Sequence, residues 1–285
     1  MKKHLKNLKV LGLVILILLN LLIWSGVYAF KPKSYVKVSF LNIGQGDSIL
    51  IRATNGNDIL IDGGPNKKVL SELGKELPIF DKDIDIMIES HPDKDHIGGL
   101  PEVVSRYKVG VFLEPGVESE NSVDDELRKR IEEKNIPRFL ARSGQIIDMG
   151  DGSYLKILFP DRDVSSFETN DASIVAEYIY GETCFLLTGD SPSKIEEYLV
   201  SKYKDELKCD VLKAGHHGSR TSTSDVYLEA VKPSLAIISA GKGNSYGHPH
   251  KETLERLVSH SVKVISTIDL GTIKILSDGK NIWKK

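Results

Sequence analysis

The stretch SHPDKDHIGG, residues 90–99, places His91, Asp93, Asp95 and His96 within six residues, two imidazoles and two carboxylates able to hold a cation. They follow the apolar run IDIMI directly, so a strand is predicted to end where the ligand-type residues begin. His-Pro-Asp and Gly-Gly are also ordinary turn sequences, and a solvated turn is the plainer account of the cluster taken alone. One loop cannot wrap a metal ion, so further ligands must come from elsewhere. Two more apolar runs end in suitable residues: LLTGDS in Asp190, and LKAGHHGS in His216 and His217. Three strand-end loops bearing such residues point to a shared metal centre.

The elements that must position these loops alternate along the chain. Short β-rich runs come first (YVKVSFLNIG, DSILIRA and DILIDGG), with Asn55-Gly56 marking a hairpin turn. The helical stretch NKKVLSELGKEL leads to the strand DIDIMIES and the His/Asp cluster. Further strands and helices then alternate, including the charged helix SVDDELRKRIEEKN, whose acids and bases read as a solvated face. Mixed strands and helices of this kind predict an α/β fold with sheets sandwiched between helical layers. Beyond Lys33 there is no repeat and no low-complexity linker, so residues 34–285 read as one domain.

Residues 1–33 are a different material. Four lysines and no acid precede an apolar run from Val10 to Phe30, broken at its middle by Asn20. As a helix, that run reaches roughly 30 Å, one bilayer core. The lysine-rich flank predicts a cytoplasmic tail and a single-pass anchor, with the rest of the chain outside the cytoplasm. The competing reading is a signal peptide cleaved after VYA (27–29), which would give a secreted protein. Setting the four tail lysines aside from the 38 basic residues leaves 34 against 40 acidic ones. That balance argues against a passive DNA-binding module and leaves room for an enzyme that carries its own cations. Cys184 and Cys209 lie in apolar runs; a disulfide is open to them outside the cell, but two buried thiols are the simpler expectation.

The ordered series FLNIGQGDSILI, LIDGG, SHPDKDHIGGL, NDASIV, LLTGD, LKAGHHGS and SAGKGNSYGHPH resembles the metallo-β-lactamase fold hydrolases. More narrowly it resembles the metallohydrolase domain of ComEC-type DNA-uptake proteins, over about residues 36 to 282. The resemblance implies an αββα sandwich with a dinuclear metal site at one edge. By motif position, His91 and Asp93 would face the first metal, Asp95 and His96 the second, and Asp190 would bridge. One of His216 and His217 would complete a site, and the sequence leaves the choice open. Asp62 in LIDGG would orient a ligand, and Asp95 would position the attacking water. His248 would be a ligand, a phosphate donor or a proton donor, although His248 and His250 also fit a turn that starts the helix KETLERL. Lys213 and Ser219, flanking GHHG, would hold a substrate phosphate.

Two departures from the superfamily pattern matter. Asp93 stands where a second histidine is usual, and ETNDAS, with Asn170, Asp171 and Ser173, stands where a separate histidine usually follows. Trading imidazole for oxygen ligands hardens the first site, favouring manganese or magnesium relative to zinc. The expected cofactors are therefore two divalent ions, Mn or Zn, with Mg as a further option. The function implied is a phosphodiesterase or nuclease acting on DNA. Three alternatives stand beside it: a phosphodiesterase on cell-wall or phosphocholine-type substrates, a β-lactamase or lactonase, and a catalytically silent adaptor of the same fold. With one apolar span, the chain has no channel region through which to translocate DNA.

Overall fold

The structure, a computed structural model, describes residues 2–29 and 33–285. The chain divides into two compact units, Met1–Lys33 and Ser34–Lys285. In the first, α1 (Lys2–Ala29) carries the segment Asn7–Val27, long and apolar enough to cross a membrane and with none of it buried in protein. Two polar side chains within it turn back onto the helix: Asn20 Nδ2 donates to Leu16 O at 3.0 Å and Ser25 Oγ to Leu22 O at 3.0 Å. That local satisfaction is what an apolar surround requires of an intrahelical amide or hydroxyl.

In the second unit the first six strands build one sheet: β1 (Val36–Phe40), β2 (Ile49–Arg52), β3 (Asp58–Ile61), β4 (Asp83–Ile88), β5 (Lys108–Glu114) and β6 (Arg138–Leu140). The next seven build another: β7 (Ile146–Asp148), β8 (Ser153–Phe159), β9 (Val175–Tyr180), β10 (Thr183–Leu187), β11 (Val211–Lys213), β12 (Leu235–Ile238) and β13 (Lys263–Ser266). The chain then returns to the first sheet, where β14 (Ile273–Ser277) pairs antiparallel with β1 and β15 (Ile282–Lys284) with β14. Asn55-Gly56 does turn the β2–β3 hairpin, with Gly56 at φ +99°.

Period-two alternation sorts the side chains into layers. From β1 and β2, Val36, Val38, Phe40, Ile49 and Ile51 pack between the sheets against Leu155, Ile157, Phe185 and Val211. Leu50, Leu60, Met87 and Phe112 point the other way, against α2 (Lys68–Glu76), α4 (Leu100–Arg106) and α5 (Ser122–Glu133), which follow and precede the short α3 (Lys94–Ile97). Leu186, Leu212, Ala236 and Ile238 likewise meet α6 (Ser193–Tyr203), α7 (Asp225–Val231) and α8 (Lys251–Ser259). The result is the αββα sandwich. Its parallel strands, β3–β4–β5 in one sheet and β10–β11–β12–β13 in the other, send their C-terminal loops toward one edge. Such crevices beyond strand ends are where open α/β sheets bind ligands.

One expectation is corrected here. Cys184 and Cys209 are joined in a disulfide, not held as two thiols. Cys184 lies in β10 and Cys209 just before its parallel neighbour β11, so pairing brings the two Cα atoms to 4.9 Å, within bonding range. The bond closes a loop of sequence separation 25 around α6. Replacing both cysteines by serine should lower unfolding free energy by about 2–4 kcal/mol. Urea denaturation of the two proteins under oxidising conditions checks this; coincident midpoints would show that the cross-link contributes nothing.

Candidate metal centre

Each ligand-type residue is held by the loop that follows a strand. Asp62 comes immediately after β3, in a left-handed conformation (φ 61°) that few non-glycine residues adopt. There its Oδ1 accepts from Ser90 N at 2.8 Å and its Oδ2 from Ser90 Oγ at 2.6 Å, tying the end of β3 to the end of β4. The same Oδ2 lies 2.8 Å from His96 Nδ1. This contact turns His96 Nε2 toward Asp190, whose Oδ1 is 3.3 Å away. His91 packs its ring 4.1 Å from that of His96 and directs Nε2 toward Asp93 Oδ2, at 3.7 Å.

The second sheet supplies the other half. Asp190 follows β10, its backbone N–H donating to Ser173 Oγ at 3.3 Å. His216 and His217 follow β11 with consecutive positive φ values of 47° and 55°. Two adjacent left-handed non-glycine residues are strained, and here the strain places the rings. His217 Nδ1 meets Ser239 O at 3.0 Å, and its Nε2 lies 3.2 Å from Asp95 Oδ2 and 3.3 Å from Asp190 Oδ2. His217 is buried, whereas the side chain of His216 is 28% exposed and stands 3.7 Å from Asp190. The geometry therefore gives His217 the inner position of the pair.

Asp47 carried no role in the sequence reading. Asp47, His96, Asp190 and His217 offer ligand atoms all within 4.8 Å of one another. Within that group Asp47 stands behind the His217 ring, its Oδ1 3.4 Å from Nδ1, and it is ion-paired with the Lys213 ammonium. A cation bound directly to Asp47 would face that ammonium, so Asp47 is better placed to orient His217 than to ligate. The signal was GQGDS, a polar turn with a carboxylate at the tip of a predicted strand. Its glycine is essential to the approach: a Cβ on Gly46, at φ +116°, would sit 1.9 Å from Asp95 O.

The remaining expected residues separate clearly. Lys213, expected to hold a substrate phosphate, is fully buried, with Nζ 2.9 Å from Gly189 O and 3.6 Å from Asp190 Oδ1. Ser219 is also buried, its Oγ engaged with Thr221 Oγ1 at 3.0 Å. Both point inward, where they support the loops of the site. Asp171 is drawn away to Lys194, while the Oδ1 of neighbouring Asn170 is buried without a partner. His248 is buried over the pair, its ring 5.4 Å from that of His216 and 6.0 Å from that of His217.

Charge follows the geometry. Burial alone would lower the His96 pKa, but Asp190 and Asp62 outweigh it and raise it well above 6.5. His217 is raised in the same way against burial, by Asp190 and Asp47. Burial would raise Asp190, yet His217 and His96 hold it well below the usual carboxylate range. Burial and the neighbouring imidazoles push His248 down to about 4. His91 Nε2, His96 Nε2 and Asp190 Oδ1 are buried and make no hydrogen bond. Such atoms are costly to leave bare, and a divalent ion ligated by imidazole and carboxylate fits them.

In the metal-free protein, raised pKa values keep His96 and His217 protonated at pH 7, while a metal ligates only neutral imidazole. Metal binding should therefore release protons, and affinity should weaken as pH falls. Calorimetric titration in two buffers of different ionisation enthalpy measures the release; none at pH 7 would contradict the charge states assigned here.

Residues 41–242 match the Metallo-beta-lactamase superfamily. The chain is 30% identical over 255 residues to ComE operon protein 3 of Bacillus subtilis, covering 84% of this chain and 32% of that protein. It is 29% identical over 254 residues to competence protein ComA of Neisseria gonorrhoeae, covering 86% and 33%. The chain thus spans about a third of the length of these relatives. In fold it is similar to CmlA, a diiron β-hydroxylase from Streptomyces venezuelae, with TM-score 0.55, 14% identity and coverage of 89% and 55%. It is also similar to the metallo-β-lactamase fold protein YhfI from Bacillus subtilis, with TM-score 0.51, 14% identity and coverage of 87% and 99%.

Proposed function

The chain belongs to the metallo-β-lactamase superfamily, and from that premise we propose that it is a metal-dependent phosphodiesterase acting on DNA. In this reading α1 anchors it in the cell membrane and residues 34–285 work outside the cytoplasm. The observation that carries the catalytic part is a pair of bare, buried ligand atoms, His96 Nε2 and Asp190 Oδ1, 3.3 Å apart, with the ring of His91, whose Nε2 is also bare, packed against that of His96. His91, Asp93, Asp95, His96, Asp190 and His217 would hold two divalent ions, with His216 at the margin. Asp93 in place of an imidazole supports Mn²⁺ over Zn²⁺. The ions would supply an acidified water and a clamp on the attacking and leaving oxygens of the phosphodiester.

The chain's own residues divide the remaining work. Asp95 is partly exposed and held ionised: burial would raise its pKa, but His217 and His96 lower it. It is placed to take the proton of the attacking water. His248 is neutral at pH 7 and has a buried, unpartnered Nδ1, so its ring serves as a hydrogen-bond partner for the phosphate and not as a charge. DNA as substrate rests on the competence proteins to which the chain is similar. The acidic balance of the exported part favours a second reading, a shorter phosphodiester of the cell wall or a phosphocholine decoration. The disulfide suits an oxidising compartment under either reading.

Asp190→Asn is the decisive variant. It keeps the size but removes the charge that touches both halves of the site, so turnover of DNA and of bis-p-nitrophenyl phosphate should fall roughly a thousandfold or more. Asp171→Asn, whose carboxylate is engaged by Lys194, should be much milder. Parental rates in Asp190→Asn with metals still bound would exclude the bridging role, and a parental protein inert on every phosphodiester would favour the silent adaptor. Topology has its own test. Protease added to intact cells should remove residues 34–285 and spare the lysine-rich tail; a protected domain would place it in the cytoplasm.

A further inference from the structure

Past β12 the chain forms a loop, residues 241–250, that hangs beside the metal centre. Asn244 staples it: Nδ2 donates to Gly241 O at 2.9 Å and His248 O at 2.6 Å, while Oδ1 accepts from Tyr246 N at 3.1 Å and His248 N at 2.9 Å. Gly243 and Gly247 turn it with positive φ values of 69° and 74°. The loop is thus fixed by its own amide, and what it presents is Tyr246. That ring stacks on His248, with centroids 5.7 Å apart and planes 21° from parallel, yet Tyr246 is 64% exposed. Its hydroxyl makes no hydrogen bond among the described residues. A tyrosine serving only to pack would bury its ring or anchor its hydroxyl. This one does neither, one imidazole away from His216 and His217.

Charge around the loop matches. The exported part is acidic, but Lys242 in this loop and Lys94 between the two metal-facing aspartates are exposed and form no salt bridge among the described residues. Exposed cations and an exposed aromatic face around one site are what an unpaired strand uses: ammonium groups track the phosphates and the ring takes a base. A duplex keeps its base faces stacked and offers none to such a ring.

We propose that Tyr246 is a stacking platform for an unpaired nucleobase next to the phosphodiester bound at the metal centre. The proposal rests on the DNA phosphodiesterase reading and adds a residue that selects single strands. The test uses the full chain in detergent, with EDTA so that nothing is cut, at one fixed salt concentration. Fluorescence anisotropy compares an oligothymidylate with a strand of equal length whose sugars are abasic. The parental protein should bind the base-bearing strand about 5- to 150-fold more tightly. That preference should collapse in Tyr246→Ala and persist in Tyr246→Phe. A preference that survives Tyr246→Ala, or that the parental protein never shows, overturns the platform. Cleavage of both strands at equal rates in Mn²⁺ would then leave the phosphodiesterase reading standing, whereas failure to bind or cut either strand would remove both.

Discussion

The constraint on which the rest of this structure depends is charge compensation at the seam between the two sheets. Asp47, Asp62 and Asp190 are all nearly inaccessible to solvent. An isolated buried carboxylate is among the most costly groups a protein can hold, so each must have a partner placed to within a few tenths of an ångström. Asp62 takes His96, Asp47 takes His217 and Lys213, and Asp190 lies between both rings. Imidazole and carboxylate alternate across the seam, and each ring is gripped at Nδ1 so that Nε2 faces inward. This is the arrangement by which an outer carboxylate or carbonyl fixes the tautomer and aim of a metal-binding histidine.

That requirement explains local features that otherwise look wasteful. The left-handed Asp62, His216 and His217 and the crowded Gly46 are unfavourable taken singly. They persist because the loops they shape come from rigid parallel strands buried on both faces, whose apolar packing over-determines the positions of their ends. Both sheets contribute, the β1–β2 loop and the ends of β3 and β4 on one side and the ends of β10, β11 and β12 on the other. Neither sheet alone can form the centre, so the inter-sheet core and the site are stabilised together.

Much of this was legible in the sequence, and the boundary of legibility has a physical basis. Strands and helices declared themselves through apolar period and turn residues, and the His/Asp cluster through its density after an apolar run. His91, Asp93, Asp95, His96, Asp190 and the His216-His217 pair were all visible as strand-end residues. What escaped depended on direction in space. Lys213 and Ser219 look like substrate contacts beside GHHG, but a side chain at the end of a central strand turns inward or outward according to a pleat that sequence does not settle. His216 and His217 are identical in type, and only two successive positive φ values decide which ring is inside. The disulfide depended on β10 and β11 being neighbours, a long-range fact invisible in either cysteine's surroundings. Asp47 lies within the motif FLNIGQGDSILI, yet its importance comes from facing Lys213, far along the chain.

The same seam bears on how many cations the centre is built for. With both inner imidazoles neutral, the carboxylates of Asp47, Asp62, Asp93, Asp95 and Asp190 carry five negative charges. Burial would lower the Lys213 pKa, but Asp47 and Asp190 raise it, so the ammonium stays charged and cancels one. Four remain, at a seam where Asp47, Asp62 and Asp190 are out of water. Protons on His96 and His217 offset two of these in the metal-free chain, which is why both pKa values are driven up. One dication would displace those protons and leave the balance no better than before. A second brings the cluster to neutrality, and in a low-dielectric seam neutrality decides between a stable centre and a self-repelling one. The proposed pair of divalent ions is therefore supported by electrostatics as well as by ligand number. Lys213, buried beside Asp47 and Asp190, is the fixed positive charge in that balance.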